Sequence, residues 1–103
     1  MNPNLVVPKD RIADFCRANG IASLAVFGSA LRDDFRPDSD VDLLVEFQPG
    51  QTPGLHFVTI ADELETLFGR PVDLLIRAAV EQSQNPIRRR NILSTAELIY
   101  AAR

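Results

Sequence analysis

The glycine–serine pair Gly28-Ser29 closes the apolar run Leu24-Ala25-Val26-Phe27, and further along Asp40 and Asp42 lead into a second apolar run, Leu43-Leu44-Val45. Gly28 has no Cβ, so a phosphate can come close to the backbone there. Ser29 adds a hydroxyl, and the amides that follow can point at phosphate oxygens if a helical turn starts at that point. Arg32, just downstream, offers a charge to offset the phosphates. On a strand, residues two apart share a face about 6.6 Å apart, given a rise of about 3.3 Å per residue. Carboxylates at that spacing suit a pair of metal ions about 3.5–4 Å apart. Gly-Ser for phosphate and Asp-x-Asp for metal together describe a metal-dependent nucleotide site.

A third carboxylate follows from strand parity. Val72, Leu74 and Ile76 make one face of a short apolar segment, and Asp73 and Leu75 make the other. If that segment lies beside Val41–Phe47, Asp73 joins Asp40 and Asp42. Three aspartates with no histidine or cysteine beside them favour magnesium or manganese over zinc, and magnesium takes hard oxygen ligands and completes its octahedron with water and substrate phosphates.

The elements that must carry these residues are legible from periodicity. Ile12, Phe15 and Cys16 share a helical face over Lys9–Asn19, preceded by Pro8 and followed by Gly20. Ser23–Phe27 and Val41–Phe47 read as strands, the second with Val41, Leu43, Val45 and Phe47 inward and Asp40, Asp42, Leu44 and Glu46 on the opposite face. Leu55–Phe68 reads as a helix with Val58, Ala61, Leu64 and Phe68 as its buried stripe and Gly69 as its stop. Val72–Ile76 is the third strand, and a helical stretch starts near Ala78. Asn85-Pro86 opens a last helical region, Asn as the cap and Pro in the first helical position. Ser94-Thr95-Ala96-Glu97 fits a capping box, which predicts a break into a further helix. The expected order is α-β-β-α-β-α, an α+β domain spanning residues 1–103 with helices packed on a small mixed sheet.

Composition narrows the classes. With 46% hydrophobic and 24% charged residues, the chain falls in the globular range. A net charge of −3 argues against a nucleic-acid partner, which ordinarily calls for a basic excess, but leaves a nucleotide open because bound metal can supply positive charge. One cysteine, Cys16, permits no internal disulfide and fits a reducing, cytoplasmic setting, with the thiol acting as a small packed hydrophobe. No apolar stretch reaches membrane-spanning length. The sole histidine, His56, reads as a surface or packing residue. Arg88-Arg89-Arg90 reads first as a solvated helix end, and second as a candidate for partner docking or for nucleotide phosphates.

Gly28-Ser29, Asp40-Val41-Asp42 and the later Asp73 together resemble the minimal nucleotidyltransferases of the DNA polymerase β-like superfamily, over roughly Ile12 to Ile76. One departure is Asp33, which follows Arg32 where that family often has glycine. The resemblance implies a polymerase β-like fold and two magnesium ions that assist transfer of a nucleoside monophosphate from a nucleoside triphosphate, ATP, to a hydroxyl. Carried over, Gly28 and Ser29 would hold the terminal phosphates. Asp40 and Asp42 would bind the metals, and Asp73 the metal next to the acceptor.

A chain of this size is expected to lack an acceptor-holding second domain, so the acceptor site is expected to be shallow or to be supplied by another protein. In the resembling family that partner is commonly a HEPN-domain ribonuclease toxin, silenced by adenylylation of a tyrosine. Two other functions are weighed beside it: an antitoxin acting by occlusion alone, and nucleotidyl transfer to a small molecule or RNA. Intact carboxylates weigh against the first, and the absent acceptor domain and acidic balance against the second.

Overall fold

The computed structural model describes residues 5–31, 36, 39–51 and 53–102, with the backbone alone at 29 and 30. Helix α1 (Lys9–Ala18) leads into β1 (Ile21–Phe27), and a single 3₁₀ turn (Gly28–Leu31) follows. Strand β2 (Val41–Phe47), helix α2 (His56–Phe68) and strand β3 (Val72–Ile76) come next. Two helices, α3 (Arg77–Glu81) and α4 (Pro86–Thr95), precede β4 (Glu97–Ala101).

The sheet order is β3-β2-β1-β4. Strand β1 pairs antiparallel with both β2 and β4, while β2 and β3 run parallel, joined by the crossover through α2. The sheet is therefore mixed, as the sequence predicts. Helices α1 and α2 cover one face, where Ile12, Cys16, Ile60 and Leu64 meet Leu24, Val26, Leu43 and Val45, all essentially without solvent exposure. Ile21 reaches the same core because the β1–β2 register shifts between Ile21 and Ser23, a bulge that turns Ile21 and Leu24 to one side.

The opposite face carries a second, smaller core. Ala25 and Phe27 of β1 and Leu44 of β2 pack against Val80 of α3 and Ile92 of α4. Leu44, on the carboxylate-bearing face of β2, is thus 2% exposed. Pro86 begins α4 where its missing N–H costs nothing, and the Asn85 side chain accepts a 3.1 Å hydrogen bond from the Arg88 amide.

Two expectations are overturned. The capping box at Ser94-Thr95 opens no helix: both hydroxyls donate back to carbonyls one turn earlier, at Arg90 and Asn91, and α4 ends there. Glu97–Ala101 is instead a strand, which pairs with the otherwise open edge of β1 through Val26 to Glu97 and Leu24 to Tyr100. Local capping chemistry yields to that backbone pairing, and Ile99 and Tyr100 gain core contact by it. In α2 the buried stripe is Ile60, Leu64 and Phe68, flanked by the partly buried Phe57 and Ala61, whereas Val58 is 64% exposed. The helix is rolled about its axis so that the bulkier Ile60 takes the central position.

Leu64→Ala should lower unfolding free energy by about 2–5 kcal/mol, as fully buried leucines do. Val58→Ala should change it by no more than about 0.5 kcal/mol. Paired denaturant titrations check both. Burial pushes the Cys16 thiol up to about 12, partly opposed by Arg17. The folded chain then keeps the proton that the unfolded chain loses near pH 9, so stability should decline as pH rises from about 9 towards 12. Cys16→Ser should remove most of that decline in alkaline denaturation curves, and thiol reagents at pH 8 should modify the wild-type chain only on unfolding.

Candidate active site

Parallel pairing of β2 with β3 sets Val41 opposite Val72 and Asp42 opposite Asp73. The two aspartates therefore stand on neighbouring strands, about 4.8 Å apart at the backbone, on the same face of the sheet. On the other side of Asp42, the antiparallel ladder places Phe27 opposite it, and the 3₁₀ turn begins at the next residue. Of the expected set, the sheet brings Gly28, Asp42 and Asp73 together, while Asp40 lies ahead of β2.

Gly28 is required here for two independent reasons. Its φ of +67° lies in the left-handed region, and a Cβ at this position would strike Oδ2 of Asp42 far closer than non-bonded atoms approach. The turn and the carboxylate are thus packed against one another through the missing side chain.

The backbone at Arg36 and at Ser39, ahead of Asp40, is held from the turn that precedes β3. Nη1 of Arg70 donates to the carbonyls of Arg36 (3.1 Å) and Ser39 (3.2 Å), and the Ser39 amide donates to the Arg36 carbonyl at 3.0 Å. The Val41 amide donates to the carbonyl of Pro71 at 2.9 Å, extending the ladder one step beyond the Val41–Val72 pair, towards Asp40. Glu65 of α2 accepts from the Val72 amide at 3.1 Å, which ties the crossover helix to the start of β3. Arg70 and Glu65 are positioning contacts that periodicity alone does not reveal, because each reaches a backbone group distant in sequence or outside its own element.

An open cleft of about 270 Å³ lies over this face, with Phe27, Gly28, Asp42 and Asp73 on one side and Arg88, Asn91, Ile92 and Thr95 of α4 on the other. Asp40 is exposed just before β2 and does not line the cleft. Among the described residues, no three acidic, histidine or cysteine side chains are drawn together closely enough to hold a metal ion unaided. Arg32 and the Ser29 side chain lie outside the described residues. His56 is remote from the cleft, its Nε2 3.1 Å from Oδ1 of Asn19, which agrees with its reading as a surface residue. Asn91 and the cleft-facing position of Arg88 were hidden from sequence inspection, since only the placement of α4 on the sheet brings them there.

A mixed sheet with helices on both faces, a tight glycine turn and a carboxylate pair on adjoining strands defines the minimal nucleotidyltransferase architecture. The nucleotidyltransferase domain family model matches residues 9–99, and the chain belongs to that family. It is 38% identical over 63 residues to protein adenylyltransferase MntA of Thermococcus cleftensis, a match covering 60% of this chain and 62% of the relative. Two Methanocaldococcus jannaschii proteins provisionally ascribed the same activity also match. MJ0128 is 40% identical, with 78% of this chain and 76% of its own length covered, and MJ0435 is 32% identical, with 93% and 96% covered. Among solved structures, one provisionally described as a minimal nucleotidyltransferase superposes with a TM-score of 0.66 at 32% identity, over 86% of each chain. A toxin–antitoxin structure with AMP-PNP shares the fold, with a TM-score of 0.69 at 15% identity over 94% of this chain and 76% of that one. No helix among the described residues is long and apolar enough to cross a membrane.

Gly28→Ala should cost at least ten-fold in nucleotidyl transfer, because the new methyl group must displace the Asp42 carboxylate. Steady-state kinetics beside a melting curve will separate this local effect from unfolding: Gly50→Ala, where a Cβ meets open space but φ is likewise positive, controls for backbone strain.

Proposed function

We propose that this nucleotidyltransferase uses magnesium and ATP to transfer AMP to a tyrosine of a HEPN-domain ribonuclease toxin, and so acts as the antitoxin of the pair. The side-by-side placement of Asp42 and Asp73 beneath Gly28 carries the chemical part of this reading. The partner rests on the relatives: one bears the name protein adenylyltransferase, and the fold recurs in MntA–HepT toxin–antitoxin structures, one with a TM-score of 0.58 at 14% identity.

The donor set fits magnesium: aspartate oxygens in place of imidazole or thiolate, and too few of them converging to fill a coordination shell without water and substrate phosphates. Asp40, Asp42 and Asp73 would hold the metal, which when bound supplies positive charge to the phosphate oxygens during transfer. Gly28 leaves the backbone open to the terminal phosphates, and Ser29 and Arg32 contribute a hydroxyl and a cation to them. Asp73, at the outer strand, faces the acceptor. Its carboxylate takes the phenolic proton as the tyrosine oxygen forms a bond to the α-phosphorus and the bond to pyrophosphate breaks. A phenol is a poor nucleophile at neutral pH because it ionises near pH 10, so a positioned carboxylate is what the acceptor requires. The rest of the acceptor site belongs to the partner, consistent with an open cleft on this side.

Incubation of the purified chain with magnesium, ATP and its neighbour-encoded helical partner, followed by intact-mass measurement, tests this. The partner should gain one or more AMP units, and the Asp40→Ala/Asp42→Ala variant should abolish the gain. A tight complex with no gain from any nucleoside triphosphate would instead establish an antitoxin that acts by occlusion.

A further inference from the structure

The run Arg88-Arg89-Arg90 divides into three different roles once α4 is seated on the sheet. Successive helical residues point about 100° apart. Arg89 is structural: its Nη1 donates to the carbonyl of Ser83 at 2.9 Å and closes the turn between α3 and α4. Arg90 is exposed and lines neither cavity beside α4. Arg88 lines the cleft that holds Asp42 and Asp73, and also the adjoining apolar slot of about 190 Å³ bordered by Leu75, Val80 and Ile92.

Arg88 is set apart by its place on the cleft and by contrast with several engaged cations. Arg17 pairs with Asp14, Arg77 with Glu81, and Arg70 with backbone carbonyls. The Arg88 guanidinium makes no hydrogen bond or ion pair with the described residues, although its backbone is fixed by the Asn85 cap and by Pro86. It is the one cationic side chain lining the cleft among the described residues, and the other charged groups there are Asp42 and Asp73. Among the described residues, a polyphosphate entering the cleft meets two negative charges on the sheet and one positive charge on the helix. The planar five-donor fork of arginine is suited to phosphate oxygens.

From this geometry we infer that Arg88 is a nucleotide-binding residue, its guanidinium donating to phosphate oxygens of the bound nucleoside triphosphate from the wall opposite Asp42 and Asp73. The inference rests on the nucleotidyltransferase reading of the same cleft and adds a residue to it. Asn91, one turn along on the same helical face, is placed to contact the nucleotide beyond Arg88.

Calorimetric titration with AMP-PNP and magnesium tests the assignment, using wild type, Arg88→Ala, Arg88→Lys and Arg90→Ala, each checked by thermal melting. Loss of a charge-assisted contact should weaken AMP-PNP binding about ten- to hundred-fold in Arg88→Ala. Arg88→Lys should recover part of the loss, and Arg90→Ala should bind as wild type does, with all four melting alike. Wild-type affinity in Arg88→Ala would overturn the assignment. So would loss of partner binding with AMP-PNP affinity intact, which would make Arg88 a docking residue. A wild-type chain that binds no nucleoside triphosphate at all would overturn the transferase reading itself.

Discussion

Parallel pairing of two short strands governs the cleft. With Val41 opposite Val72, the aspartates that follow each of them fall side by side on one face and the valines fall together in the main core. A slip of one residue would turn Asp73 into that core and bury a charge without a partner, at a cost of several kcal/mol. Burial of Val41, Leu43, Val45 and Leu74 therefore enforces the register that the carboxylates need. Stability and chemistry are read from alternate residues of the same strands.

The same alternation explains why strand β2 is apolar on both sides over part of its length. Near its start Asp42 faces the cleft; two residues on, Leu44 faces α3 and α4 and is buried. The face is thus divided along the strand into a wet end and a dry end. Helix α4 serves both, with Ile92 anchoring it to the dry patch and Arg88 and Asn91 lining the wet one.

Much of this was legible in the sequence because it depends on local signals. Strand parity put Asp42 and Asp73 on one face, and Asn85-Pro86 marked the start of α4. What sequence inspection missed depends on partners far away in the chain. Glu97–Ala101 becomes a strand because β1 presents an unpaired edge, and no local pattern outweighs the capping box that precedes it. The choice of Ile60 over Val58 in α2 follows from the roll of the helix on the sheet, which two overlapping apolar stripes leave undetermined. The sequence offers Arg88, Arg89 and Arg90 as one undivided run, and only the placement of α4 separates Arg88 from its neighbours.

Strand β4 has a consequence for how the molecule is made. Its pairing joins Glu97 to Val26, so the sheet is completed by a contact between strands separated by all of β2, α2, β3, α3 and α4. Such a contact has high contact order and must wait until almost everything between has been synthesised. Until then the outer edge of β1, with Leu24, Ala25 and Val26 in succession, is open to strands of other nascent chains. The interval before closure is when self-association competes with folding, and the rate at which β4 docks sets how much of the protein escapes it.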